Sequence, residues 1–173
     1  MGNVVEHTMR KLFRNERGAA IIELALVAPF LALMTIGIVD MSNAYNRKLG
    51  LEQGAQRAIE KIMQTTQDST VDDTLKSEAV CQVNGTDADG ACKTSPITTD
   101  NVTVTHTTEC VDADGTVHVQ ADPDTDCLGT QRTRTYISVT VTDTYTPMFP
   151  IHFASLNGDG SYHLSATAGM RTQ

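Results

Sequence analysis

The sequence predicts an α+β protein in which a long N-terminal helix packs with a small antiparallel β-sheet. Three observations carry that expectation. Ala19 to Val39 forms a 21-residue stretch whose only charge is Glu23. Helical spacing of apolar residues continues beyond it to about Met63. Near the C-terminus, "TYISVTVTDTY" and "SYHLSATAGMR" alternate apolar and polar residues as half-buried strands do.

The first stretch is apolar on every face. As a helix, its 21 residues span about 31 Å at a rise of roughly 1.5 Å per residue, close to the roughly 30 Å hydrocarbon core of a bilayer. Residues 1 to 18 hold Arg10, Lys11, Arg14 and Arg17 against Glu6 and Glu16, so a basic head precedes the apolar run. The positive-inside rule then puts the N-terminus in the cytoplasm and everything after Val39 outside it. The 173-residue chain carries a formal net charge of -8. Its acidic remainder excludes general nucleic-acid binding, which needs clustered Lys and Arg on phosphates.

Beyond Val39, Met41, Tyr45, Leu49, Leu51, Ala55, Ala58, Ile59 and Ile62 recur near helical spacing with polar and charged residues between them. This predicts a water-exposed amphipathic extension over 40–63. Gly50 and Gly54 weaken it by up to about 1 kcal/mol each relative to Ala, and suggest a bend or a close packing contact. The polar residues 64–70 form a linker. Thr70 and Asp73 are placed to cap a short helix presenting Val71, Leu75 and Ala79 on one side.

The four cysteines, Cys81, Cys92, Cys110 and Cys127, all follow the apolar run. An even count in an exported domain favours two disulfides. Of the three possible pairings, Cys81 with Cys92 and Cys110 with Cys127 close the shortest loops. A zinc site is the minor alternative, because no CxxC pair occurs and His106 and His118 lack finger spacing. Within this insert, 81–127, "NVTVT" at 101–105 and "TVHV" at 116–119 alternate as strands, separated by the turn-prone "DADG" at 112–115. The two later strands are expected to pair antiparallel across the long connection "PMFPIHFASLNGDG". Ile137, Val139 and Val141 form one apolar side, and Tyr162, Leu164, Ala166, Ala168 and Met170 the other.

Site chemistry is sparse. "DADG" occurs at 87–90 and 112–115, and Asp122, Asp124 and Asp126 add three acids. A calcium site built from Asp112, Asp114, Asp122, Asp124 and Asp126 is one option. Neither copy completes an EF-hand loop, since Gly85 and Cys110 occupy the first ligand position, and tight turns account for both copies. The sequons at Asn84 and Asn101 are taken as chance occurrences. No GxSxG, HExxH, P-loop or GxGxxG occurs, so no catalytic residue, enzyme activity or cofactor is expected.

"RGAAIIELALVAPFLALMTIGIVD" resembles the N-terminus of TadE-like pseudopilins, minor components of the Tad branch of bacterial type IV pili. The shared features are a basic leader, Gly18 before the cleavage point, Glu23 five residues beyond it, and an apolar helix with a Pro, here Pro29. Leu24 stands where that family often has Phe. "VTVTDTYTPMFP" and "YHLSATAGMR" are similar to that family's C-terminal strands, while about residues 64–130 have no counterpart.

The resemblance implies removal of residues 1–18 as a cytoplasmic leader by a prepilin peptidase cutting between Gly18 and Ala19. It implies an inner-membrane span over 19–39 and an extracytoplasmic domain over 64–173. Other Tad pilins and pseudopilins would be the partners, in pilus assembly and surface attachment. Cleavage would leave a cationic amine on Ala19, one helical turn from Glu23 and near a positive helix end, which gives the acid a reason to be there. The competing expectation is an exported binding protein whose apolar run is a signal peptide cut before Tyr45, with Ser42 and Ala44 as the small residues.

Overall fold

The computed structural model describes residues 16–64, 71–120, 125–148 and 157–172, with side chains from residue 20 onward. The linker residues 65–70, including the expected cap Thr70, lie outside them, as do residues 1–15 of the expected leader.

A single helix, α1, runs from Glu16 to Ile62 without interruption, although Pro29 lies inside it and Gly50 and Gly54 fall in its second half. Its start precedes the expected cut, so in the uncut chain Gly18 and Ala19 are already helical. A second helix, α2 (Val71–Asn84), carries Asp72 and Asp73 in its first turn, where carboxylates favour the positive helix end. It buries Leu75 and Ala79, as their spacing predicts, and also Val80.

After a 3-10 turn at Thr99–Asn101 come four strands: β1 (Val102–Val111), β2 (Val117–Val119), β3 (Arg132–Tyr145) and β4 (Tyr162–Arg171). They form one antiparallel sheet in the order β2-β1-β3-β4. β1 extends six residues past the alternation seen in "NVTVT", because β3 offers ten consecutive partners from Val141 back to Arg132. The expected pairing of the last two strands holds over ten residues, from Tyr136 with Arg171 to Tyr145 with Tyr162.

One core lies between the helices and the inner face of the sheet. Leu51, Ala55, Ala58 and Ile59 of α1 and Leu75, Ala79 and Val80 of α2 meet Val102, Ile137, Val139, Val141 and Ala166, with Ile97 from the intervening loop. Leu164, Ala168 and Met170 pack at its margin. Gly54 lets the helices approach: a Cβ there would lie 2.6 Å from Val83 Cγ2 and 3.1 Å from the Ala79 carbonyl oxygen.

The two DADG stretches fold into the same turn. In each, the first Asp N–H donates to the carbonyl four residues on, and the Gly N–H donates back to that Asp carbonyl. Gly90 and Gly115 have φ of 81° and 93°, which only glycine adopts freely.

Candidate functional site

The candidate site is α1 itself together with the junction where the sheet first meets it. From Ala20 to Thr35 every side chain is exposed, Glu23 among them. Ile21, Leu26 and Phe30 are bare despite being strongly apolar. An all-round apolar surface left uncovered needs lipid or other protein around it. Among the described residues, this is the one helix long and apolar enough to cross a bilayer.

The head begins immediately after the apolar run. Asp40, one residue beyond Val39, is buried. Its Oδ1 accepts the Met148 N–H at 3.0 Å and the Tyr145 hydroxyl at 3.4 Å. Burial, reinforced by the negative charge of Asp40, raises the Tyr145 pKa above its ordinary value. Two turns on, Arg47 Nε meets Asp143 Oδ2 at 2.8 Å. Asp143 is buried, and among the described residues these two atoms answer only each other. Arg47 is over a third exposed, so removing it leaves the buried Asp143 carboxylate uncompensated while the reverse does not, and the pair helps to set the register of β3 on α1.

Beside this junction lies an open groove lined by Asn43, Asn46, Arg47, Gly50 and Tyr145. Among the described residues, its lining holds no pairing of acid, base and nucleophile that would suit catalysis.

The sequence spacing did not single out Asp40, Arg47 and Asp143. For Asp143 a signal was available: it lies in phase with Ile137, Val139 and Val141, which puts a carboxylate on the inner side of the strand. Asp40 offered less, since an acid just after an apolar run is ordinary.

The other expected positions are scattered. Gly18 and Ala19 lie in the first turns of α1. Cys81 is bonded to Cys92, with Cα atoms 4.9 Å apart, and Cys110 to Cys127, with Cα atoms 5.5 Å apart. The first pair ties the end of α2 to the first DADG turn, and the second ties β1 to the segment before β3. Of the calcium candidates, Asp122 and Asp124 lie outside the described residues and Asp126 is exposed.

Asp112 and Asp114 are occupied within the fold. Asp112 accepts a hydrogen bond from Gln131 Nε2 at 2.8 Å and meets His118 Nε2 at 2.8 Å, and both lower its pKa. Asp114 accepts the Thr116 N–H, which lowers its pKa in turn. Among the described residues no group of three acidic, His or Cys side chains is arranged to hold a metal. Both sequon asparagines are engaged as well: the Asn84 side chain donates to the carbonyls of Lys93 and Ile97, and Asn101 Oδ1 accepts the Thr98 N–H.

The family model for TadE-like protein matches residues 18–59. Over that segment the chain is similar to TadE-like proteins. The match starts at the expected cut, takes in Glu23 and the whole bare half of α1, and ends among the turns that the sheet buries. A membrane-anchored protein fits both the family and the long apolar helix. No curated protein and no solved structure matches the chain.

Proposed function

We propose that this protein is a minor pilin or pseudopilin of a Tad pilus, held in the bacterial inner membrane by residues 19–39 with its head outside the cytoplasm. In this reading a prepilin peptidase cuts between Gly18 and Ala19. The mature chain then assembles with other Tad pilins and pseudopilins and takes part in surface attachment. The observation that carries the proposal is the TadE-like match over a helix whose first half is apolar and bare while one face of its second half is packed against the head.

Glu23 gains its role from the cut. In the uncut chain the helix passes through Gly18 and Ala19, and no amine is present there. Cleavage creates one, a helical turn from Glu23, at a helix end that already favours negative charge. A carboxylate deep in a bilayer costs a few kcal/mol on insertion scales, and near its edge it is cheaper and able to pair. With several helices side by side, the amine of a neighbouring subunit serves equally well and sets the register of otherwise uniform apolar surfaces.

Mass spectrometry of the mature N-terminus tests the reading. Ala19 is expected; Tyr45 would mark a signal peptide and sink the pilin proposal. Gly18→Ala is expected to block processing. Glu23→Ala should be processed normally yet lose pilus assembly, and normal piliation by that variant would remove the pairing argument.

A further inference from the structure

Where the head sits relative to the bilayer follows from the junction. α1 is continuous, so no linker separates the apolar run from the head. Among the described residues, Asp40, the residue after Val39, is the first buried one of α1 and bonds to Met148, while Ile36 and Gly37 are half-buried. At about 1.5 Å per residue, Asp40 to Asn43 rise only about 6 Å beyond the apolar run, and the headgroup layer of a bilayer is about 5–8 Å deep on each side. The start of the head therefore lies at headgroup depth if the run crosses the hydrocarbon.

The side chains at that level suit it. Met41 is 60% exposed, Tyr45 61% and Met148 71%. Isolated exposed apolar residues are ordinary on a soluble surface; these three fall within about one helical turn of the junction. They also flank the helix on two sides. Met148 lies against Asn43, whose Nδ2 approaches its sulfur at 3.8 Å, and Met41 is about 200° away from Asn43 around the helix at 3.6 residues per turn. Tyr45 is one turn higher, about 9 Å beyond Val39 at roughly 1.5 Å per residue, and because helical side chains lean towards the N-terminus its ring comes back towards headgroup depth. A Tyr with an apolar body and a polar tip is the residue found at membrane interfaces. Of the acids at this end, Asp40 and Asp143 are buried and partnered, whereas Asp159, in the turn before β4, is exposed and meets His163 Nε2 at 3.1 Å; Lys48 is exposed.

We infer that the junction end of the head rests in the headgroup layer of the bilayer, with Met41, Tyr45 and Met148 as its contact residues. The partner is the phospholipid interface itself. The inference rests on the proposed span over 19–39 and adds the pose of the head: β3 and β4 start or end at the membrane, and the β2 end, with Val117 and Val119 exposed, stands away from it. Tyr145, bound to Asp40, and Arg132, beside Val111 at the β2 end, are separated by about 43 Å of strand at roughly 3.3 Å per residue.

The chain contains no Trp, so a single introduced Trp reports its own depth. The full chain is reconstituted in phosphatidylcholine vesicles with brominated acyl chains, as Leu31→Trp, Tyr45→Trp, Met148→Trp and Val119→Trp, and bromine quenching is compared with unbrominated vesicles. Strong loss of fluorescence is expected for Leu31→Trp, intermediate loss for Tyr45→Trp and Met148→Trp, and none for Val119→Trp. If Leu31→Trp is quenched while Tyr45→Trp and Met148→Trp match Val119→Trp, the head stands clear of the membrane and the inference fails while the span survives. If Leu31→Trp is not quenched, the span itself fails and the inference with it. Two probe positions on opposite flanks keep the result readable if one of them disturbs the fold.

Discussion

Between Ala20 and Thr35 every side chain of α1 is exposed, whereas between Leu51 and Ile59 the same helix buries Leu51, Ala55, Ala58 and Ile59. The more apolar half is the bare one. Apolar content alone therefore does not decide what the head covers. A stripe with polar flanks has one direction in which to bury itself, and the sheet supplies it; a helix apolar all round has none, and suits lipid or other helices. Asp40, Arg47 and Asp143 stand at the change from one regime to the other.

The largest test of that contrast truncates one Leu in each half. Leu51 is fully buried, so Leu51→Ala is expected to cost the head about 2–5 kcal/mol, by lost burial and the cavity left behind. Leu31→Ala touches no part of the head and should change its stability by less than about 0.5 kcal/mol. Urea unfolding of the detergent-solubilised chain measures both. Comparable losses would mean that the head depends on the apolar half as well, and the contrast would break.

A finer version uses the two glycines, four residues apart. At Gly54 an added methyl meets Val83 and the Ala79 carbonyl, so overpacking outweighs the gain in helix propensity and Gly54→Ala should lose about 1 kcal/mol net. At Gly50 nothing lies within 4 Å of the same methyl, and Gly50→Ala should gain about 0.5–1 kcal/mol from propensity alone. Opposite signs in a thermal melt place the edge of the packed surface between them. A gain at both positions would show α2 packing more loosely than this.

These elements differ in how far the sequence announces them. The helix to Met63, the inner sides of β3 and β4 and the face of α2 follow from periodicity, because one-sided burial imposes a period of 3.6 or 2 on the chain. Within the amphipathic extension, however, Met41, Tyr45 and Leu49 recur at the same interval as Leu51, Ala55 and Ile59 but lie about 80° around the helix from them, and stay outside. The side that the head covers runs through Asp40, Ala44, Leu51, Ala55 and Ala58, and which side that is depends on partners far along the chain, such as Asp143 and Met148. The Arg47–Asp143 and Asp40–Met148 contacts are of that long-range kind and leave only the parity of Asp143 as a trace. The TadE-like segment was legible as a motif because its signals, Gly18, Glu23 and the apolar run, are local.

The smallest expected effect concerns charge. The core that holds the second half of α1 is apolar, and the carboxylate whose pKa is most displaced, Asp159, lies in the turn before β4. The Ser161 N–H, donating at 3.0 Å, and His163 Nε2, at 3.1 Å, hold it at about 2 instead of 3.8. Since the folded value is the lower one, the ionised form favours the fold. Its contribution is complete above pH 3.8 and fades as pH falls towards about 2. The lowered Asp112 and Asp114 act in the same direction. Asp159→Asn, which keeps an acceptor oxygen but not the charge, should therefore reduce the acid loss of head stability between those pH values without abolishing it, with Tm against pH as the readout. Unchanged acid sensitivity would show that solvent screens this exposed carboxylate completely. Complete loss of acid sensitivity would mean that one turn at the edge, rather than the apolar seam under α1, governs the head at low pH.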